Sequence, residues 1–376
     1  MITLDKENIE TAEILLPCNN LDETLQFFID KLGFKMESIA PAEKPSIAVI
    51  SGHGIRLRLE PGNNPDPGSI NLLCSDPATV ADGKLELTAP NGTRVSLIEA
   101  NPPLNIPNVK QTFVLSKMSD TDQWSEGRAG MRYRDLIPDR QGGYAVASHI
   151  RILEGGPVPD YVHYHKILFQ MIYCYKGWAR LVYEEQGEPF IIEAGDCVLQ
   201  PPHIRHQVLE SSQGMEVIEL TCPADHETCV DHELELPTSS VNPERLFNEQ
   251  HFIRHEAAKA EWKPWRMEGF EARDIGIATA TDGLAGVHVA RPVGQPHSEF
   301  VSHDADLLFT FLLNGSAEFN CDQKDSELLT AGDSFIVPGN MKHSLSKCSE
   351  DMEILEVALP AVFNTAHHLK KAGLIS

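Results

Sequence analysis

Residues 156–206 read GPVPDYVHYHKILFQMIYCYKGWARLVYEEQGEPFIIEAGDCVLQPPHIRH. Side chains on a β-strand alternate faces, so His163 and His165 point the same way and form a chelating pair. The segment that follows, 168–175, is rich in β-branched and aromatic residues and stops at Lys176-Gly177 as a strand stops at a turn. It carries Gln170 on a neighbouring strand. A second turn at Gly195-Asp196 leads into a short strand, 197–200, closed by Pro201-Pro202, and His206 follows as a third imidazole.

A lone histidine in a strand is ordinarily half-buried and unremarkable, but three within one framework of glycine turns point to a bound cation. This spacing resembles the two-part cupin signature: a glycine, HxH, a carboxylate and a glycine, then G-D, a proline and a single histidine. Carried over residue by residue, the resemblance implies metal ligands at His163, His165, Gln170 and His206, with Gly156, Gly177, Gly195 and Pro201 at the turns. Two positions depart from it. Gln170 stands where the family has glutamate, and His203 where a glycine is frequent. A neutral amide oxygen is a poor ligand, so Gln170 either coordinates weakly, orients a bound water or hydrogen-bonds a histidine. Three imidazoles and an amide leave the 2+ charge of an ion uncompensated, which favours an anionic, chelating substrate. Cys174 and Cys197 read as small core residues.

The second half of the chain repeats this pattern. Asn314-Gly315 falls on Lys176-Gly177, Gly332-Asp333 on Gly195-Asp196, Pro338 on Pro201, His343 on His206 and His303 on His165. Val301 and Leu308 occupy the other two ligand places and cannot coordinate. A rebuilt site would have to draw on His297, Glu299, Asp304 or Asp306; a degenerate scaffold is the simpler expectation.

Ahead of both copies, residues 11–16 read as a buried strand, and Leu21, Leu25, Phe28 and Leu32 recur at helical spacing up to a stop at Gly33. Strands are expected at 34–39, 46–51 and 55–60, with a shorter second set over 70–99 around the turn Pro90-Asn91-Gly92. This β-α-β-β-β order resembles one module of the glyoxalase and extradiol-dioxygenase (vicinal oxygen chelate) superfamily. That family's metal positions fall near Glu13, Arg58 and Ser96, which cannot make a site, so the module is expected to pack, dimerise or lid the next domain. His53 reads as a surface residue of a turn.

The expected architecture is mainly β: two cupin jelly-roll barrels preceded by a mixed α/β glyoxalase-like module. The boundaries are 1–105 for the module, 106–126 for a linker, 127–236 for the first cupin, 237–265 for a linker with a helix at 254–262, and 266–376 for the second cupin. His251 and His255 lie four apart on that helix, without an HExxH motif. Strands at 132–138 and 145–152 enter the first cupin. His149 and Arg151 share one strand face; if it lines the barrel, Arg151 can pair with a substrate carboxylate, and otherwise it is solvated. Tyr161, Tyr173 and Trp178 are expected in the packing.

Composition excludes several classes. Fifty-five acidic against thirty-one basic residues give a formal charge of −24, which repels nucleic-acid backbones and anionic membranes. No apolar stretch has the length of a membrane span and the start lacks a leader, so a cytoplasmic protein is expected. Eight dispersed cysteines without CxxC indicate neither a disulfide framework nor a zinc ribbon. The acidic stretch 223–241 holds Asp/His pairs without a strand framework.

The resemblance implies a divalent metal, Fe(II) first and Zn, Mn or Ni as alternatives, held by His163, His165, His206 and Gln170, with Gln170 and Arg151 as candidate catalytic residues. Bicupins with three-histidine iron sites include ring-cleaving dioxygenases of the gentisate type, so an oxygenase acting on a small anionic or enolisable substrate is the first reading. A redox-neutral isomerase, decarboxylase or lyase is the second, and a non-catalytic small-molecule-binding bicupin the third. A homodimer or higher homo-oligomer is expected.

Overall fold

The computed structural model describes residues 11–41, 44–62, 66–120, 124–127, 130–294, 299–322 and 324–368. The chain divides into two units, Met1–Pro103 and Leu104–Ser376.

In the first unit the strand Ile14–Pro17 leads into the helix Leu21–Gln26, which widens into a π-turn over Phe27–Lys31. Leu21, Leu25, Phe28 and Leu32 are all buried, as their spacing requires. The strands Lys35–Ala40, Ile47–Gly52 and Ile55–Glu60 follow, and Ile14–Pro17 closes the sheet by pairing parallel with Ile55–Glu60. A three-stranded sheet of Ser69–Cys74, Arg94–Glu99 and Glu86–Thr88 completes the unit, one strand short of the first set. Glu13 accepts a hydrogen bond from Arg56 at 2.8 Å and lies 4.0 Å from Arg58. A carboxylate committed to two guanidiniums is an ordinary ion pair.

The second unit consists of two barrels with the same strand order. In the first, the sheet Ile253–His255, Cys197–Leu199, Phe169–Lys176, Met215–Cys222, Val146–Ile152, Arg132–Asp135, Trp124–Glu126 faces the sheet Phe190–Glu193, Trp178–Tyr183, His206–Ser211, His163–His165, Thr228–Val230. In the second, Leu307–Asn314 and Glu353–Leu359 take the places of Phe169–Lys176 and Met215–Cys222. The duplication extends to single bonds. Trp178 N donates to Ser212 Oγ behind the turn at Gly177, and Ser316 N donates to Ser349 Oγ behind Gly315, each at 2.9 Å.

The segments read as linkers prove to be structural. Val114–Ser116 precedes the first barrel in sequence yet pairs with Ser334–Ile336 of the second. Within 237–265, Ile253–His255 pairs with Cys197–Leu199 of the first barrel, where the expected helix would begin. That helix is replaced by the strand and one 3₁₀ turn, Ala257–Lys259. Residues 254–262 offer no apolar stripe to bury, so an open sheet edge outweighs helical propensity. His255 accordingly meets Arg273 at 3.1 Å rather than His251.

The two large sheets pack against each other through one continuous apolar core, with Phe169, Met171 and Leu220 from the first barrel and Val289, Phe309 and Val357 from the second. Each such side chain contributes about 1.5–3 kcal/mol when fully buried. Polar ties cross the same interface. Arg134, fully buried and lowered to about 10 by that burial, donates to the Gly332 carbonyl, and Arg273 donates to the Tyr173 hydroxyl at 3.1 Å.

Gly315 has φ +68, and a Cβ there would come within 2.7 Å of Met352 Cα. Left-handed strain in a non-glycine residue costs on the order of 1–3 kcal/mol. Gly315→Ala is therefore expected to lower the free energy of unfolding measured in urea by at least that amount while leaving the interior of the first barrel unchanged.

Candidate metal centre in the first barrel

His163 and His165 stand on one strand, and His163 pairs directly with His206 across the sheet. The three rings are buried, and their ligand-capable nitrogens lie within 4.8 Å of one another. Among the described residues this is the one group of three histidine, cysteine or carboxylate side chains close enough to hold an ion.

Backbone contacts decide which nitrogen faces inward. His163 Nδ1 donates to the Tyr161 carbonyl at 2.8 Å, and His206 Nδ1 donates to the Ile204 carbonyl at 3.0 Å. A carbonyl only accepts, so both rings carry their proton on Nδ1 and turn a lone pair on Nε2 toward the barrel interior. His165 Nδ1 lies 3.0 Å from the Thr228 hydroxyl, in the same sense. Asp160 Oδ1 stands 3.6 Å behind His163. Tyr183 stacks on the His206 ring at 5.4 Å.

The histidines open onto a cavity of about 320 Å³ inside the barrel, enough for a small organic molecule. Gln170 faces it, 1% exposed, and its Nε2 donates to Glu219 Oε1. The Gln170 side-chain oxygen, Oε1, is buried and accepts no hydrogen bond. A buried amide acceptor without a donor is a site for a cation, and together with three inward Nε2 lone pairs this donor set suits one divalent ion.

Arg151 is not part of the site. Val146, Ser148, Ile150 and Ile152 line the cavity, so the alternate residues 147, 149 and 151 face away from it. Arg151 instead lies 3.1 Å from Glu216 and stacks on Trp124 at 4.2 Å. His149 is fully buried beside them, its Nε2 2.6 Å from Glu216. Two residues that reading from the sequence passed over do line the cavity. One is Arg140, whose guanidinium is paired with Asp135 at 2.9 Å, and the other is Glu219, a carboxylate 49 residues beyond Gln170. His203 has a left-handed backbone, and its amide donates to the His165 carbonyl, bracing the ligand strand.

The second barrel repeats the register, and among its described residues no such group of ligands comes together. Val301 pairs with His343 as His163 pairs with His206. His303 turns its Nε2 to the Val337 carbonyl at 2.8 Å, and burial drives His343 down to about 4. Val301, Leu312, Phe319 and Phe335 fill the interior. Asp304 is committed to Asn364, Glu299 lies 3.9 Å from His367, and His297 is outside the described residues.

No protein-family model and no curated protein sequence matches the chain. Solved structures do. Salicylate 1,2-dioxygenase from Pseudoaminobacter salicylatoxidans, in adducts with gentisate, aligns with a TM-score of 0.51 and 15% identity over 70% of this chain and 87% of that one. Oxalate decarboxylase from Lactobacillus farciminis, as a formate complex, aligns at 0.50 and 13% over 68% and 88%, and a Bacillus subtilis oxalate decarboxylase mutant at 0.50 and 14% over 68% and 79%. The fold is that of a bicupin. At such identities the likeness carries the fold and not the chemistry. Among the described residues no helix is long and apolar enough to cross a membrane.

The corrected position of Arg151 has a measurable consequence. Burial alone would raise the Glu216 carboxyl, but the His149 N–H and the charges of Arg151 and Lys176 outweigh it and bring it to about 2 from an ordinary 4.5. A depressed carboxylate stabilises the fold fully above its unfolded value and loses that contribution as pH falls toward the folded value. Arg151→Met is expected to move this loss to higher pH in urea titrations between pH 7 and 3. Ligand affinity of the first barrel should not change.

Proposed function

We propose that the first barrel is the active site of a metal-dependent cupin enzyme acting on a small anionic or enolisable organic molecule. The observation that carries this is the convergence of three imidazoles whose outer nitrogens are all engaged, beside a cavity of about 320 Å³. His163, His165 and His206 would hold the ion through Nε2, with Gln170 Oε1 as a weak fourth donor. A divalent ion there supplies Lewis acidity toward a chelating oxyanion and, as iron(II), redox chemistry with O2.

The protein's own residues define the rest. The neutral ligand set favours an anionic substrate; Arg140 lies on the cavity wall, its guanidinium paired with Asp135 at 2.9 Å. Ile150, Ile172 and Leu181 give the cavity an aliphatic wall. We assign an O2-dependent oxidation as the first reading and iron(II) as its metal. The second reading is redox-neutral, a decarboxylation or isomerisation, and one observation favours it: a carboxylate, Glu219, lines the cavity beside Gln170. The structural relatives include both a dioxygenase and decarboxylases. For the N-terminal unit we propose a non-catalytic, glyoxalase-like role, supported by its strand order and by the pairing of Glu13 with arginines.

Metal analysis and O2 uptake with a panel of small carboxylates and enols test this reading. One divalent ion per chain is expected, lost in His163→Ala and His206→Ala and retained in His303→Ala. Turnover that stops without O2 supports the oxygenase, turnover that persists anaerobically the redox-neutral enzyme, and a folded protein that takes up no metal contradicts both.

A further inference from the structure

Position 170 is where this chain departs from the usual ligand pattern, and the structure gives the departure a partner. Phe169–Lys176 pairs antiparallel with Met215–Cys222, placing Ile172 opposite Glu219 and Gln170 opposite Thr221. On the inward face Gln170 and Glu219 are therefore diagonal neighbours, within reach of each other's side chains. Gln170 Nε2 donates to Glu219 Oε1, while Gln170 Oε1 is buried with no hydrogen bond. Turning the amide over would set its oxygen against the carboxylate, so the pairing fixes which end of Gln170 faces away from Glu219.

The second barrel shows the same lattice point in another use. Thr310 lies opposite Glu356 as Ile172 lies opposite Glu219, and Leu308 takes the place of Gln170. There the buried carboxylate pairs with Arg266, whose guanidinium stacks on Trp265 at 4.5 Å. Both barrels keep a glutamate at this point. The second pairs it with Arg266, and the first joins it to an amide whose oxygen accepts no hydrogen bond.

The geometry points to Glu219 as a positioning residue. It keeps Gln170 Oε1 on the end of the amide away from the carboxylate, in the cavity that the three imidazoles also line, and supplies, one side chain farther out, the negative charge that a glutamate at position 170 would carry on the ligand itself. This rests on the metal-site reading of the first barrel. Its chemical consequence is a fourth ligand that is neutral and polarised rather than charged. A chelating carboxylate or enolate substrate displaces such a ligand more readily than it would displace a glutamate, and Glu219 retains the amide while the substrate is bound.

Cobalt(II) affinity, measured by competition with a chromophoric chelator, and the visible absorption of the cobalt protein test the assignment in the full chain. Thermal melts of the metal-free variants check folding. Glu219→Ala is expected to weaken cobalt binding about 10–100-fold, the range for loss of a residue that orients a ligand, and to change the absorption band. Glu219→Gln keeps a hydrogen bond and loses the charge, and is expected to fall between that variant and wild type. The exchange Gln170→Glu with Glu219→Gln keeps the pair and moves the carboxylate inward, and is expected to bind cobalt at least as tightly as wild type. Wild-type affinity and absorption in Glu219→Ala would overturn the assignment and leave the metal site standing. A loss in Glu219→Ala that the exchange does not recover would also overturn it, because mere packing produces that result. A wild-type protein that binds no cobalt would overturn both readings.

Discussion

The shared apolar core between the two large sheets is the constraint on which the rest of the larger unit depends. Side chains on a strand alternate, so once Phe169, Met171 and Tyr173 are committed to the neighbouring barrel, Gln170 and Ile172 must face inward. The same division on Met215–Cys222 sends Ile218 and Leu220 to the interface and Glu219 into the cavity. It also removes Arg151 from the site and leaves it beside Glu216. The inward aim of Gln170 and Glu219 is thus set on the opposite face of their own strands, by residues that never touch the cavity.

Within that frame the two barrels have taken different courses from one pattern. The turns at Gly177 and Gly315, the seryl bonds behind them and the strand order are common to both. In the first, the interior remains open and the imidazoles are tethered through Nδ1 so that Nε2 faces the cavity. In the second, Val301, Phe319 and Phe335 fill the interior, and the buried Glu356 carboxylate is satisfied by Arg266. A filled barrel contributes packing to the common core and a strand contact to Val114–Ser116, which ties the start of the unit to its far end. The open barrel can therefore carry strained turns and an amide oxygen without a partner.

The histidine constellation was legible in the sequence because it is local: HxH fixes two residues on one face by period two alone, and the turns at Gly177 and Gly195 bracket the third. The degeneracy of the second barrel was legible for the same reason, since Val301 and Leu308 cannot coordinate whatever the fold does. Arg151 was not, because alternation tells which residues share a face and says nothing about which face turns inward. Glu219 escaped because its relation to Gln170 exists only through strand pairing between distant segments. Val114–Ser116 and Ile253–His255 were hidden by shortness: three residues completing another sheet carry too little pattern to stand out from connecting chain.

The central claim is that one barrel of this pair holds a metal and the other does not. Anomalous diffraction from crystals of the metal-loaded protein tests it most directly. The account predicts a single anomalous peak per chain, about 2.0–2.2 Å from Nε2 of His163, His165 and His206. A peak beside His303 and His343, or none among the three imidazoles of the first barrel, would contradict it.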